Sequence, residues 1–323
     1  MIIYRNQIRG LIFLLLVLGI SHSRVEVIAQ TDPGGIPPAR TSGLIIPFDL
    51  INNKTILPAR IGDSRLIRIV LDSGMGWDGM VITNPDLVDS IALISPMEAS
   101  IGGAGNSGEA TAVFSDSMTF SIGKKEFDNQ RIVILRQGGF RGGSFDGVTG
   151  YSIFGHYTVE VNYDRKEIIL YKPGEMIIDK SWTEIPIYFK ENMIPWIDVS
   201  IVIENEKPVP INCYIDYASS ESIELLMKPG QKFNMPAETE DYYLGRGLSG
   251  DINGKKGKIS KVIIGPYELG NVNAAFAPAE VRSKQKGADG VISNNLLRRF
   301  NLIFDYSNRR IYIKPNSFFN EPF

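Results

Sequence analysis

Two stretches of the chain decide how the sequence is interpreted: residues 66–74 (LIRIVLDSG) and residues 209–218 (VPINCYIDYA). Each is an apolar run that leads into an aspartate, Asp72 in the first stretch and Asp216 in the second. Short apolar runs that are rich in β-branched residues and bounded by turn residues predict β-strands. Asp216 follows Asp72 by 144 positions, and this wide spacing of two similar stretches points to an internal repeat.

Four further landmarks recur in the same order in both halves of the chain. They lie at offsets of 142 or 143 residues: Gly103, Gly105 and Gly108 with Gly245, Gly247 and Gly250; Ile122-Gly123 with Ile264-Gly265; Asp146-Gly147-Val148 with Asp289-Gly290-Val291; and Lys172-Pro173 with Lys314-Pro315. Because the order is kept and the spacing drifts so little, we interpret the chain as a duplication.

Each copy is predicted to consist mostly of strands, so the fold class is all-β. Stretches such as residues 131–135 (RIVIL) are short and rich in β-branched residues. Apolar residues at helical spacing, with Asn residues in front, predict one short helix over 294–300, and 151–157 is its counterpart in the first copy. The Asn253-Gly254 pair predicts a type I′ turn.

The repeat also predicts the boundaries along the chain. We assign residues 41–173 to an N-terminal lobe and residues 183–316 to a C-terminal lobe, with a linker at 174–182 and a tail at 317–323. A Pro- and Gly-rich stretch at 30–40 predicts a disordered start of the mature chain. Both lobes are long enough to bury a core of their own.

The N-terminus has the pattern of an export signal. Arg5 and Arg9 precede an apolar run at 11–20, which is too short to span a bilayer. Cleavage is expected before Gln30; a site after Ser23 and an uncleaved anchor are the alternatives. The protein is therefore expected to be periplasmic or secreted, with no membrane association after the signal is removed.

Composition excludes several classes of function. The 323-residue chain has a net charge of −2, which does not suit a nucleic-acid binder because neutralising phosphates requires clustered Lys and Arg. Its one cysteine, Cys213, allows no internal disulfide and is expected in the core. His156 is the one histidine after Gln30, so neither a Ser-His-Asp triad nor a His/Cys zinc site can be built. We expect no metal and no cofactor.

Asp72-Ser73-Gly74 at the end of a strand resembles the D-[ST]-G signature of aspartic proteases. Each copy also resembles the lobes of the bacterial retropepsin-like branch, which carry a Gly-rich flap and a G-x-x-G-x-x-[LF]-[LF] block. That block is found at residues 147–154 (GVTGYSIF) and, in weaker form, at 290–297 (GVISNNLL). The resemblance covers residues 41–316 and implies two tandem retropepsin- or pepsin-like lobes related by pseudo-twofold symmetry.

The resemblance implies that Asp72 and Asp216 form the catalytic pair. Two adjacent carboxyl groups cannot both ionise easily, so they share a proton, and one of them activates water while the other acts as the acid. Ser73 would lock the two loops together, and Gly74 would permit the tight turn beneath the carboxylates. The substrate would be a peptide or protein, without a cofactor.

By the same resemblance, glycine-rich hairpins would form flaps over an extended substrate. The flap residues are predicted to be Gly102, Gly103, Gly105 and Gly108 in the first copy and Gly245, Gly247 and Gly250 in the second. Trp77, which follows the first motif, is expected to shape the substrate pocket. The spacing of these glycines also matches a dinucleotide-binding fingerprint, but strand-like residues follow it where that fingerprint requires a helix, so nucleotide binding is rejected.

The second motif departs from the D-[ST]-G pattern. Asp216 is followed by Tyr217 and Ala218, so both the hydroxyl and the glycine are missing from their usual places. Two alternatives to a monomeric aspartic endopeptidase therefore stay open. One is a catalytically inactive module that binds an extended peptide or an envelope component between the lobes; the other is a dimer that pairs two first-copy loops.

Overall fold

The computed structural model describes residues 43–105, 108–137, 139, 143–282 and 285–323. The predicted signal peptide at 1–29 and the segment at 30–40 lie outside the described residues. Within the described ranges the chain forms 22 strands and two short α-helices. None of the helices found there is long and apolar enough to cross a membrane.

The first half of the chain supplies eleven strands, one α-helix and one short 3-10 helix, Pro85–Leu87. The strands are β1 (Leu44–Pro47), β2 (Asp49–Ile51), β3 (Lys54–Ile61), β4 (Ile67–Leu71), β5 (Gly79–Ile82), β6 (Met97–Ile101), β7 (Ala110–Ile122), β8 (Lys125–Leu135), β9 (Gly147–Thr149), β10 (Thr158–Asn162) and β11 (Glu167–Tyr171). Helix α1 (Tyr151–Phe154) lies between β9 and β10.

The second half repeats this series. Its strands are β12 (Thr183–Pro186), β13 (Tyr188–Phe189), β14 (Pro195–Val202), β15 (Val209–Asp216), β16 (Ile223–Met227), β17 (Thr239–Gly247), β18 (Gly250–Ile264), β19 (Tyr267–Pro278), β20 (Gly290–Ser293), β21 (Phe300–Asp305) and β22 (Arg310–Pro315). Helix α2 (Asn294–Leu297) follows β20, and a short 3-10 helix, Ala279–Arg282, follows β19.

Each half folds into an eight-stranded sheet with the same topology. The strand order is β2-β3-β4-β9-β5-β8-β7-β6 in the first lobe and β13-β14-β15-β20-β16-β19-β18-β17 in the second. A third sheet, in the order β1-β11-β10-β21-β22-β12, contains strands of both halves and is symmetrical about the β10–β21 pair. The predicted all-β fold of two tandem lobes with pseudo-twofold symmetry is therefore confirmed.

Apolar side chains connect the shared sheet to both lobes. Phe154 of α1 and Phe304 of β21 are fully buried, with ring centroids 4.8 Å apart. They belong to one continuous apolar cluster that takes in residues of both eight-stranded sheets. Burying a side chain of this size contributes about 1.5–3 kcal/mol. This packing holds the ends of β4 and β15 near one another.

Three local features differ from the expectations. The helices end at Phe154 and Leu297, earlier than predicted, because the chain turns into the next strand and Phe300 already pairs with Pro315. Asn253-Gly254 forms no turn but lies inside β18. Glycine is needed there since a Cβ on Gly254 would lie 2.3 Å from the Phe276 carbonyl oxygen.

The end of the chain is bound to the second lobe. The guanidinium of Arg299, which is fully buried, donates hydrogen bonds to the carbonyl oxygens of Phe318, Glu321 and Pro322 at 2.7–3.1 Å. Its Cζ atom also lies 3.6 Å from the ring centroid of Phe323. Residues 317–323 thus pack against the body of the protein.

Candidate active site

The two aspartates lie at equivalent strand ends and border the same small space. Strand β4 pairs in parallel with β9 up to Leu71, and β15 pairs in parallel with β20 up to Asp216, so each aspartate lies at the end of a parallel strand pair. A Cβ built on Gly74 would lie 3.0 Å from Asp72 Oδ1 and 3.8 Å from Asp216 Oδ1. The structure therefore brings Asp72 and Asp216 together, and any side chain on Gly74 would enter the space between them.

A single hydroxyl group joins the two aspartate loops. Ser73 Oγ donates to the carbonyl oxygen of Ile215 at 2.8 Å and accepts from the backbone N–H of Tyr217 at 3.0 Å. Ser73 is 1% exposed, so both bonds are shielded from water. Tyr217 occupies the position at which the symmetry would place a second small hydroxyl residue. The hydroxyl that joins the loops is therefore supplied by the first loop alone.

Backbone N–H groups orient both carboxylates. Gly74 N donates to Asp72 Oδ1 at 2.7 Å, and Ser219 N donates to Asp216 Oδ1 at 3.1 Å. Hydrogen bonds to a charged acceptor are stronger than neutral ones, so they restrict the rotation of each carboxyl group. The donor in the second loop is one residue further along, which accommodates the changed motif.

Tyr217 points into the protein core. The residue is fully buried, and its ring packs edge-on against Phe154 and Phe304. Its hydroxyl lies 2.9 Å from Thr55 Oγ1 and 2.6 Å from the hydroxyl of Tyr163. The large side chain that replaces the expected small residue is therefore accommodated below the site, and it leaves the space between the aspartates open.

A turn of the first lobe holds the loop that follows Asp216. Asn52 and Asn53 have positive φ angles of 49° and 58° and form the tight turn between β2 and β3. Asn53 Nδ2 donates to the Ser220 carbonyl oxygen at 3.0 Å, and Ser220 Oγ donates to the Asn52 carbonyl oxygen at 2.6 Å. Lys54 Nζ donates to the Ala218 carbonyl oxygen. These contacts stabilise a loop that lacks the usual glycine and hydroxyl.

The electrostatic surroundings favour a proton on Asp72. Burial and, to a lesser extent, the neighbouring charge of Asp216 raise the pKa of Asp72 to about 7. The hydrogen bond from Gly74 and the positive charges of Lys54 and Arg282 oppose this shift. A carboxyl group with such a pKa keeps its proton through the acidic range, so the pair can hold one proton up to near-neutral pH.

Sequence reasoning missed two charged residues beside Asp216. Arg282 donates two hydrogen bonds to Glu224, Nε to Oε1 at 2.8 Å and Nη2 to Oε2 at 2.9 Å, and its Nη1 lies 3.3 Å from Asp216 Oδ2. The Arg282 and Glu224 side chains are 10% and 3% exposed. The only signal in the sequence is a glutamate within the apolar strand β16, IELLM.

The two predicted flaps are hairpins that contact each other. They are formed by β6 and β7 in the first lobe and by β17 and β18 in the second. Gly103 N donates to Ser249 Oγ at 3.0 Å, and Ser249 N donates to the Ala104 carbonyl oxygen at 2.9 Å. Gly105 N donates to the Val281 carbonyl oxygen at 3.0 Å, next to Arg282.

Several of the predicted flap glycines permit this contact. A Cβ on Gly247 would lie 2.1 Å from the Ala104 carbonyl oxygen, and one on Gly105, at φ 119°, would lie 2.5 Å from the Ser249 carbonyl carbon. Gly250 also has a positive φ, of 104°. The remaining predicted glycines lie in or beside the same hairpins: Gly102 and Gly108 in the first, and Gly245 at an irregular position of β17.

Trp77 lies on the first lobe, close to the flaps. It packs against an apolar cluster that includes Met75 and Val133 and that Leu248 of the second flap also contacts. It borders a polar cavity of about 410 Å³ as well, together with Asp116 and other residues. Within the described ranges no group of three or more His, Cys, Asp or Glu side chains has the arrangement to hold a metal ion.

This fold, two β-lobes related by pseudo-twofold symmetry with an aspartate at the same strand end in each, is that of the pepsin-like aspartic proteinases. One solved structure of this type, the aspartic proteinase from Irpex lacteus, superposes with a TM-score of 0.55 and covers 87% of this chain and 99% of its own. The sequences are 12% identical, so the similarity concerns the fold alone. No protein-family model and no curated protein sequence matches the chain.

Proposed function

We propose that this protein is an exported aspartic endopeptidase of the bacterial retropepsin-like kind that hydrolyses peptide bonds with the Asp72/Asp216 pair. The observation that carries the proposal is that two carboxyl groups from matching strand ends border one space, and that their environment keeps a proton on Asp72. One group is then available as acid and the other as base, which is what hydrolysis without a metal requires.

The reaction follows from that distribution of charge. The Asp216 carboxylate takes a proton from water as the oxygen bonds to the peptide carbonyl carbon, while Asp72 gives its proton to the carbonyl oxygen. When the C–N bond breaks, the leaving nitrogen takes the proton from Asp216, and Asp72 recovers a proton from the new carboxyl group. The cycle ends with the pair in its starting state and needs no cofactor.

The flaps and the glycines on them suit an extended peptide as the substrate. Closed over a bound chain, their backbone groups would hydrogen-bond to main-chain groups of the substrate, which favours peptides or unfolded protein segments over compact proteins. The contact of Gly103 with Ser249 must open before a peptide enters. Each chain carries both aspartates, so we propose that it acts as a monomer. Export rests on residues 1–29.

One observation favours a second candidate, an inactive module that binds peptides in the same place. The ion pair of Arg282 with Asp216 Oδ2 engages one of the two carboxylates. If the ion pair prevented that carboxylate from activating water, the flaps and the space beneath them would still bind an extended peptide. The two candidates differ in turnover, not in the ligand.

The test is cleavage of a mixed peptide library by residues 30–323 between pH 3 and pH 9. Asp72→Asn and Asp216→Asn are compared with the native protein, and Asp63→Asn, at an exposed position, is the matched control. We expect the native protein and the control to cleave, and both site variants to lose activity by a factor of about 10³ or more. Peptide binding without cleavage, in a folded native protein, would reject the endopeptidase and support the binding module.

A further inference from the structure

A buried ion pair, Glu224 and Arg282, lies beside Asp216 at a place where the first lobe is apolar. Glu224 pairs with Val291 in the second sheet, as Val81 pairs with Val148 in the first. Since Val291 and Val148 are equivalent in the repeat, Glu224 replaces Val81. Both residues are 2% exposed. A buried carboxylate is strongly unfavourable unless it is paired, so Glu224 requires a positively charged partner.

The partner of Glu224 is held in one orientation. The two parallel hydrogen bonds between Arg282 and Glu224, at 2.8 and 2.9 Å, fix the guanidinium plane as a fork-shaped pair. The remaining terminal nitrogen, Nη1, then lies 3.3 Å from Asp216 Oδ2. Glu224 thus offsets the charge of Arg282, and it also orients the guanidinium so that Nη1 points at Asp216.

The two oxygens of Asp216 have different neighbours. Oδ1 accepts the Ser219 N–H and lies on the side of Gly74, toward Asp72. Oδ2 faces Arg282. The guanidinium therefore binds one oxygen and leaves the other directed at the space that both carboxyl groups border.

We propose that Arg282, held by Glu224, is a positioning residue that keeps Asp216 in its carboxylate form, so that Asp216 acts as the base and Asp72 as the acid. This inference rests on the proposed hydrolysis. It assigns separate roles to the two aspartates, which the duplicated sequence leaves equivalent.

The other charged and titratable groups around the pair do not replace Arg282. Lys54 reaches the region from β3, but its Nζ donates to the Ala218 carbonyl oxygen, and burial lowers its pKa. Tyr214 on β15 is buried, which keeps its hydroxyl neutral. Glu221 in the following loop is acidic and has Lys256 as its partner, at 3.8 Å. Of the described cations, Arg282 is the one in direct contact with Asp216.

The experiment removes both charges together. Glu224→Gln/Arg282→Gln leaves the net charge unchanged and keeps two amides that can hydrogen-bond to each other. Arg282→Lys keeps the positive charge and is the conservative control. For each protein, kcat/KM is measured from pH 3 to pH 9, and the two titration steps of the aspartate pair are followed by the NMR signals of ¹³C-labelled carboxyl carbons. Circular dichroism and thermal unfolding verify the fold.

In the double variant we expect the acid limb of the kcat/KM profile to move up by about one pH unit, because a second proton binds the pair more easily. Activity at acidic pH then falls about tenfold, since one unit corresponds to a factor of ten in the protonation equilibrium. The first deprotonation step in the NMR titration should move by the same amount. Arg282→Lys should keep the native limb, even if its kcat is lower.

An unchanged acid limb and an unchanged first titration step in the folded double variant would overturn the assignment. A gain of activity at every pH would also overturn it, because Arg282 would then be an obstruction. If the native protein cleaves nothing, the proposed hydrolysis fails, but the NMR titration still decides the role of Arg282: a shifted step supports the assignment and an unshifted step rejects it.

Discussion

Ser73→Ala tests how the two lobes are held in register at the aspartates. The substitution removes one hydroxyl that donates to the Ile215 carbonyl oxygen at 2.8 Å and accepts from the Tyr217 N–H at 3.0 Å. Both partners are backbone groups of the second loop, and Tyr217 and Ile215 are fully buried. Water therefore cannot easily replace the lost bonds.

The magnitude follows from those two bonds. Leaving a buried polar group without a partner costs about 1–3 kcal/mol, so we expect the variant to lose about 2–4 kcal/mol of its free energy of unfolding. Asp216 directly follows Ile215, and a freer second loop no longer holds its carboxylate against Asp72. We expect kcat to fall about 10- to 100-fold, while KM changes little, because Ser73 is 1% exposed and is therefore shielded from a bound peptide.

Urea unfolding measures the free energy of unfolding, and steady-state peptide cleavage measures kcat and KM. Ser73→Thr is the matched control, since it keeps the hydroxyl and adds only a methyl group. The reasoning would be refuted if Ser73→Ala unfolded within 0.5 kcal/mol of the native protein, a shift of the size common for neutral surface substitutions, and kept its full kcat.

Three further outcomes are expected. Tyr217→Phe removes the buried hydroxyl that contacts Thr55 and should lower the free energy of unfolding by about 1–2 kcal/mol with an unchanged KM; a changed KM would mean that the hydroxyl acts on the substrate site. Because burial and the charge of Asp216 raise the pKa of Asp72 from 3.8 to about 7, the stability that its proton contributes is complete below pH 3.8 and is lost as the pH rises to about 7. Asp72→Asn, which cannot ionise, should therefore unfold at a higher urea concentration than the native protein at pH 8, and equal urea midpoints at pH 8 would contradict this. Ser249→Ala removes the hydrogen bond to Gly103 and should speed hydrogen exchange of the Gly103 amide about 2- to 10-fold, whereas unchanged exchange would show that this bond does not limit flap opening.

Local patterns were sufficient for the strands and misleading for some turns. Short runs of β-branched residues predict strands such as β8, because that signal depends on neighbours in the chain. The Asn253-Gly254 pair predicts a turn, yet its glycine permits the close approach of β19 within the sheet. A glycine that avoids a contact with a distant backbone has the same local signature as one that permits a turn.

By itself, the sequence determined that this chain is a duplicated all-β protein with one aspartate at the same strand end of each copy, because repeats and short β-branched runs are properties of residue order. Only the tertiary structure decided what surrounds those aspartates. Tyr217 lies in the core, the Asn52-Asn53 turn holds the second loop, and Glu224 directs Arg282 onto Asp216. The partners are up to 168 positions apart, and such pairs meet only when both lobes pack on the shared sheet. Spacing along the chain carries no information about which side chain then fills a buried site or pairs with a buried charge.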